Sequence, residues 1–151
     1  MRKSLLVILE LDEIDLETAG GKAMGLARLV ELGLPVPPAV VVPAGAAFDE
    51  TAAVVARLGE PLAVRSSAVG EDAADRSFAG QFETRLGVDA ETLPAAVAYV
   101  RRGTERAGVY GAAGPIAVVI QREVRATRAG VAFSHDPVTG VRVVFVECAL
   151  G

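Results

Sequence analysis

The chain reads as an α+β domain, in which helices and strands mix without a regular strand–helix–strand rhythm. Three observations lead there. Apolar residues recur at helical spacing in some windows and gather into short β-branched runs in others. The 16 glycines and 8 prolines punctuate the chain between those windows. The last third is a succession of short valine-rich runs, whereas regular alternation would predict a doubly wound sheet.

Taken in order, residues 5–9 form an apolar strand. Residues 21–32 predict a helix with Leu26, Leu29 and Val30 on one face, ended by Gly33. The stretch "LPVPP" is extended, because each proline disfavours the helical region for its predecessor, and it leads into a strand at 39–42. A second helix covers 46–58 and stops at Gly59 and Pro61. Residues 62–65 are a short strand, 66–79 a loop and 82–86 another strand. Pro94 suits the first turn of a helix running to about 109, closed by "GAAGP". Strands follow at 116–121, 130–134 and 141–148.

At 151 residues, 52% hydrophobic and 23% charged, the chain is globular and long enough for a core: one domain or part of one. A net charge of -4 argues against a general nucleic-acid binder, which would show a basic face. Any grip on phosphate must come from a few placed cations. The opening "MRKSLLVILELDEID" holds an apolar run of about five residues, too short for a signal core. No window approaches the roughly 20 apolar residues of a membrane span. The lone Cys148, in "VRVVFVECAL", excludes an internal disulfide framework. A reducing cytoplasm and a buried structural thiol are the corresponding expectations.

Two stretches carry chemistry. "AGGKAMGLARL" sets Gly20 and Gly21 before Lys22 at a helix start. Unpaired amides and the helix dipole would welcome an anion there, and Lys22 would add a full charge. It is not a Walker loop, because Leu16 and Ala23 stand where that pattern needs Gly and Ser or Thr. An ordinary loop-to-helix turn with a solvated lysine fits the same residues. The second stretch is "LAVRSSAVGEDAADRSFAGQFET". Arg65 ends a strand, where a rigid element can aim its planar fork at a phosphate. Ser66 and Ser67 add hydroxyls, and Glu71 and Asp72 are candidate Mg2+ or water ligands. Gly80 lets backbone amides close over a phosphate without a side chain in the way, and Thr84 can donate from the next strand. For Glu71, Asp72, Asp75 and Arg76 a solvated loop is the plainer reading.

These residues carry a family likeness. "GGKAMGLARLVELGLPVPPAVVV", "LAVRSSAVGEDAADRSFAGQFETRLGV" and "VVIQREVRATRAGVAFSHDPVTG" resemble, in order, three blocks of one domain. It is the N-terminal ATP-binding domain of phosphoenolpyruvate synthase and pyruvate phosphate dikinase, related to ATP-grasp folds and shared with rifamycin phosphotransferases. The resemblance implies an ATP-grasp-like domain, here its N-terminal half, with ATP and Mg2+ as cofactors. By position, Lys22 and Arg65 resemble the family's cationic phosphate ligands, and Gly80 and Thr84 its loop and strand contacts to the nucleotide. Gln121 resembles the start of the adenine hinge, with Val124 near the base. An ordinary strand end is the other reading of Gln121 to Val124.

His135, the only histidine, is not read as the family's phosphate carrier, because the resemblance puts that residue in a separate domain. Two departures from the family stand out. The stretch between Lys22 and Arg65 is short, with the loss falling between 43 and 61. The chain also stops at "VECALG", ahead of the second half of the domain and its Mg2+-holding acids. The resemblance implies that the complete enzyme turns ATP, pyruvate and water into phosphoenolpyruvate, AMP and phosphate. Pyruvate would be met only through domains absent here. Two alternatives stay open: the ATP-binding part of a rifamycin-type phosphotransferase, or a non-catalytic nucleotide-binding module completed by a partner at the C-terminal β-edge.

Overall fold

A computed structural model gives the conformation of the chain and describes residues 8–68, 83–106 and 116–150. The architecture is mixed α+β, as the sequence predicts, and its sheets are antiparallel. Its elements are α1 (Leu16–Glu31), β1 (Ala39–Val42), α2 (Thr51–Leu58), β2 (Leu62–Ser67), β3 (Thr84–Val88), α3 (Leu93–Arg106), β4 (Ala117–Arg122), β5 (Arg128–Phe133) and β6 (Phe145–Leu150). Four strands form one sheet in the order β1-β4-β2-β3, and β5 pairs with β6 in a separate two-stranded sheet.

Strand alternation divides the four-stranded sheet into two faces. On one, Val40, Val42, Leu62, Val64, Val118 and Ile120 pack against Val54 and Leu58 of α2 and Leu93, Val97 and Val100 of α3. On the other, Ala39, Val41, Ala117 and Val119 meet Ala19 and Ala23 of α1. Because both faces are covered, β1 is buried at all four positions and β4 at its first five. That double burial is why both read as unbroken apolar runs rather than as alternating ones. Each fully buried Val or Leu contributes about 1.5–3 kcal/mol, so these two layers anchor the domain.

Helix α1 is two helical pieces joined at Gly20, whose φ of 74° and ψ of 175° break the helical path. Asp15 caps the first piece, accepting from the Thr18 amide at 2.8 Å. The second piece, from Gly21, is the helix the sequence predicts; the capped turn ahead of it was not foreseen. The helix ends at Leu32, and Gly33 adopts φ 70° beyond it.

Other boundaries shift for local reasons. α2 begins at Thr51 rather than 46. Gly45 is left-handed at φ 77°, and the Arg101 guanidinium holds the Pro43 and Ala46 carbonyls at 3.2 and 2.6 Å, so the chain turns there instead of coiling. β2 runs two residues longer than expected, which takes Ser66 and Ser67 out of the predicted loop and buries both. β6 starts at Phe145 rather than 141. Asp136 collects the Val138 and Thr139 amides at 2.8 and 2.9 Å into a turn, with Gly140 at φ 70° after it. From the predicted strand at 5–9 only Ile8 and Leu9 are described; Leu9 bridges Val41 through two 2.8 Å hydrogen bonds.

Cys148 is exposed on β6, against the expectation of a buried thiol. The β5–β6 hairpin explains this: every residue of both strands is exposed among the described residues, and the two strands pair with each other in a sheet of their own. No helix among the described residues is long and apolar enough to cross a membrane.

Candidate functional site

The site begins with strand parity. In β4, Ala117 and Val119 face α1, so Gln121, two residues further on, faces the same way. Residues directly opposite in an antiparallel pair share a face. Ser67 pairs with Ala117, Arg65 with Val119 and Ala63 with Gln121, which puts Ser67, Arg65 and Ala63 on the α1 side of β2. Thr84 of β3 pairs with Arg65 and joins them. Arg65, Thr84 and Gln121, three sequence-predicted site residues from three strands, therefore share the face that α1 packs on. Gln121 and Arg65 are diagonal neighbours across the pair, a spacing of about 7–8 Å between backbones.

Arg65 is the one β2 residue that is not fully buried, in the pattern buried–buried–buried–half-buried–buried–buried. A guanidinium in such a place keeps its fork at the surface while the strand fixes its root. Thr84 is exposed beside it. Gln121 is 8% exposed and donates its carboxamide N–H to the Pro37 carbonyl at 3.2 Å, so the side chain is held in one orientation. Val124 lies past the end of β4 and is 61% exposed, with no strand partner. Gly80 lies outside the described residues.

Lys22 enters from α1. It sits half-buried in the first turn after the Gly20 break, and that turn is fastened to the end of β2. The Gly21 amide donates to the Ala68 carbonyl at 2.9 Å. The Ala23 amide donates to the Ser67 hydroxyl at 3.1 Å in a buried bond. A Cβ on Gly20 would lie 2.4 Å from the Ser67 carbonyl oxygen, so only glycine permits this approach. The two motif blocks, 44 residues apart, thus meet at their backbones. This corrects one expectation: the Gly21 and Ala23 amides are already occupied by the protein, so the helix start does not present them to an anion. The Lys22 side chain is left as this turn's cationic contribution.

The two serines also divide. Ser66 lies on the opposite face, with its hydroxyl 3.5 Å from the Glu83 carbonyl. Ser67 alone reaches the site, as a support for α1, a role the sequence reading missed. The signal was its position two residues after Arg65, which shares Arg65's face once the strand is long enough. Arg101 was also missed; it fixes the 43–46 turn, whose Ala44 amide bonds the Thr18 carbonyl of α1 at 2.9 Å. Burial lowers the Arg101 pKa below the usual arginine value.

The residues present suit a nucleotide: two cations anchored on separate rigid elements, a hydroxyl opposite one of them, and an oriented carboxamide further along the same face. A Mg2+ site is a different matter. Among the described residues no group of three His, Cys, Asp or Glu side chains could hold a metal ion. His135 is exposed next to the Asp136 turn, 3.0 Å through Nδ1 from the Ser134 hydroxyl.

Comparison with known proteins gives the family of the chain. The chain is 35% identical to the prodigiosin synthesizing transferase PigC of Serratia marcescens, over 93% of this chain and 21% of that protein. It is 37% identical to a probable phosphoenolpyruvate synthase of Archaeoglobus fulgidus, over 60% of this chain and 13% of that protein. It is 43% identical to a rifampicin phosphotransferase of a Streptomyces species, over 62% of this chain and 13% of that protein. The chain thus spans about a fifth or less of the length of these relatives. Residues 45–151 match the family described as "Pyruvate phosphate dikinase, AMP/ATP-binding domain". That stretch holds Arg65, Thr84, Gln121 and Val124, and Lys22 precedes it. With well over half of its residues in that match, the chain belongs to the pyruvate phosphate dikinase AMP/ATP-binding domain family.

Proposed function

We propose that this chain forms the nucleotide-holding part of a phosphoenolpyruvate synthase-like phosphotransferase, built as the N-terminal half of an ATP-grasp-like domain. Lys22 and Arg65 hold the phosphates of ATP, Thr84 adds a hydroxyl donor beside Arg65, and the Gln121–Val124 segment receives the adenine. Gly80 would close over the phosphates. The observation that carries the reading is the shared face: Arg65, Thr84 and Gln121 lie on it by register, and the Lys22 turn is bonded to the end of the same strand as Arg65.

The chemistry assigned to these residues is binding and orientation. A lysine and an arginine rooted on different elements fix a polyphosphate at two points, and preset geometry lowers the entropic cost of reaching a reactive arrangement. Phosphoryl transfer itself relies on metal ions to neutralise developing charge. Among the described residues no three metal-binding side chains gather, so Mg2+ would draw on the phosphates and on donors from elsewhere, with Glu71 and Asp72 as candidates within this chain. The setting proposed is cytoplasmic, and pyruvate would be met through other parts of the complete enzyme.

A second reading concerns the acceptor. The relatives include a phosphoenolpyruvate synthase, a rifampicin phosphotransferase and a prodigiosin synthesizing transferase. That variety supports a shared nucleotide grip whose acceptor is chosen outside these residues. A nucleotide-binding module completed by a partner chain along β5–β6 draws support from exposed Val131, Phe133, Phe145, Val146 and Leu150 on that hairpin.

The test is calorimetric titration of ATP into the purified chain, with and without Mg2+. Saturable binding is the expected result. Absence of binding at millimolar ATP in both conditions would overturn the reading.

A further inference from the structure

Gly20 occupies the N-cap position of the second α1 piece, and glycine has no side chain with which to cap. A helix start leaves its first amides without intrahelical partners, and the third is ordinarily met by an oxygen on the N-cap residue. Here the oxygen comes from across the fold: the Ser67 hydroxyl accepts from Ala23, the third residue of that piece, at 3.1 Å. Ser67 is 1% exposed, so water does not compete for the bond. Its carbonyl lies over Gly20, and the next carbonyl, of Ala68, takes the Gly21 amide. Lys22 is the residue between the two bonded amides. Ser67 is also two residues from Arg65 on the same face of β2.

We propose that Ser67 is a positioning residue: its hydroxyl fixes the Lys22 turn to the strand that carries Arg65, so that both cations meet one phosphate chain at a set spacing. The inference rests on the ATP-binding reading above and deepens it. Ser67 need not touch the nucleotide. It acts through Lys22, and its loss should be felt by ligands that carry phosphates and not by those that lack them.

The experiment is a double-substitution cycle on the full 151-residue chain, with ATP and adenosine titrated into wild type, Ser67→Ala, Lys22→Ala and the pair. One buried hydrogen bond corresponds at most to roughly three- to tenfold in affinity, the limit reached when binding must re-form a turn that its loss has loosened. Ser67→Ala should weaken ATP by about that factor and leave adenosine within about twofold. In the Lys22→Ala background the same change should cost ATP little, since residues acting as a unit are not additive. Amide hydrogen exchange supplies the folding control: Ala23 loses protection in Ser67→Ala while β4 amides keep theirs. Ser67→Thr, which keeps the hydroxyl, should restore Ala23 protection and part of the ATP affinity. An equal loss for ATP and adenosine, full additivity with Lys22→Ala, or an unchanged ATP affinity would each overturn the proposal. A wild-type chain that binds no ATP would instead overturn the reading beneath it, and the proposal with it.

Discussion

The Ser67 carbonyl fills the space that a side chain on Gly20 would need, 2.4 Å from its Cβ position. Gly20 is also left-handed, at φ 74°. Gly33 has nearly the same φ, 70°, but nothing lies within 4 Å of its Cβ position. The two glycines therefore separate strain from crowding. Gly33→Ala should cost only the backbone penalty, about 1 kcal/mol. Gly20→Ala should cost that and a displaced β2 terminus, about 3 kcal/mol or more. Urea denaturation of both variants measures the difference; equal losses would mean that Gly20 and Ser67 do not meet as described.

Arg101 ties α3 to the turn after β1. Its guanidinium donates to the Ala46 and Pro43 carbonyls at 2.6 and 3.2 Å. Because the side chain is only partly buried, the expected loss in Arg101→Met is modest, about 1–2 kcal/mol. The Ala44 amide should exchange faster as well, because its bond to Thr18 depends on that turn. A variant as stable as wild type, with Ala44 still protected, would remove the clamp from the account.

Three carboxylates cap local structure, and each has its pKa lowered. Hydrogen bonds from Thr18 lower Asp15, those from Thr92 lower Asp89, and the Thr139 and Val138 amides lower Asp136. A carboxyl group whose folded pKa is depressed contributes stability above its unfolded pKa, and that contribution is lost as pH falls through the folded value. Stability should therefore be level from neutral pH to about 5 and decline below about 4. In Asp15→Asn, which keeps a capping oxygen without the charge, the acid decline should be shallower. A steeper one would contradict the assignment.

Cys148 should react with a water-soluble thiol reagent in the folded chain, without denaturant, because it is exposed on β6. Complete protection until unfolding would mean that the hairpin is covered in solution.

Much of the fold is legible in residue order, and the exceptions have identifiable causes. The β1 run "AVVV" and its bounds can be read directly, because four β-branched or small apolar residues between Pro38 and Pro43 have little other choice. α2 is misjudged at its start because Arg101, 55 residues beyond Ala46, holds the turn that precedes it. No local pattern carries that information. The site shows the same division. Lys22 and Arg65 can be picked as candidates from their motifs, whereas the occupied helix amides cannot be read, since Ser67 and Ala68 reach them through tertiary packing. Cys148 misleads for a related reason: an apolar run predicts burial only when another layer covers the strand.

The proposed nucleotide site depends on Lys22 and Arg65 gripping the same phosphate chain. Titrating ATP and adenosine into Lys22→Ala and Arg65→Ala tests it most directly. Each substitution should weaken ATP by about tenfold or more, as loss of a charge-assisted contact should, while adenosine changes by less than about twofold. Equal weakening of both ligands, or an ATP affinity that neither substitution alters, would contradict it.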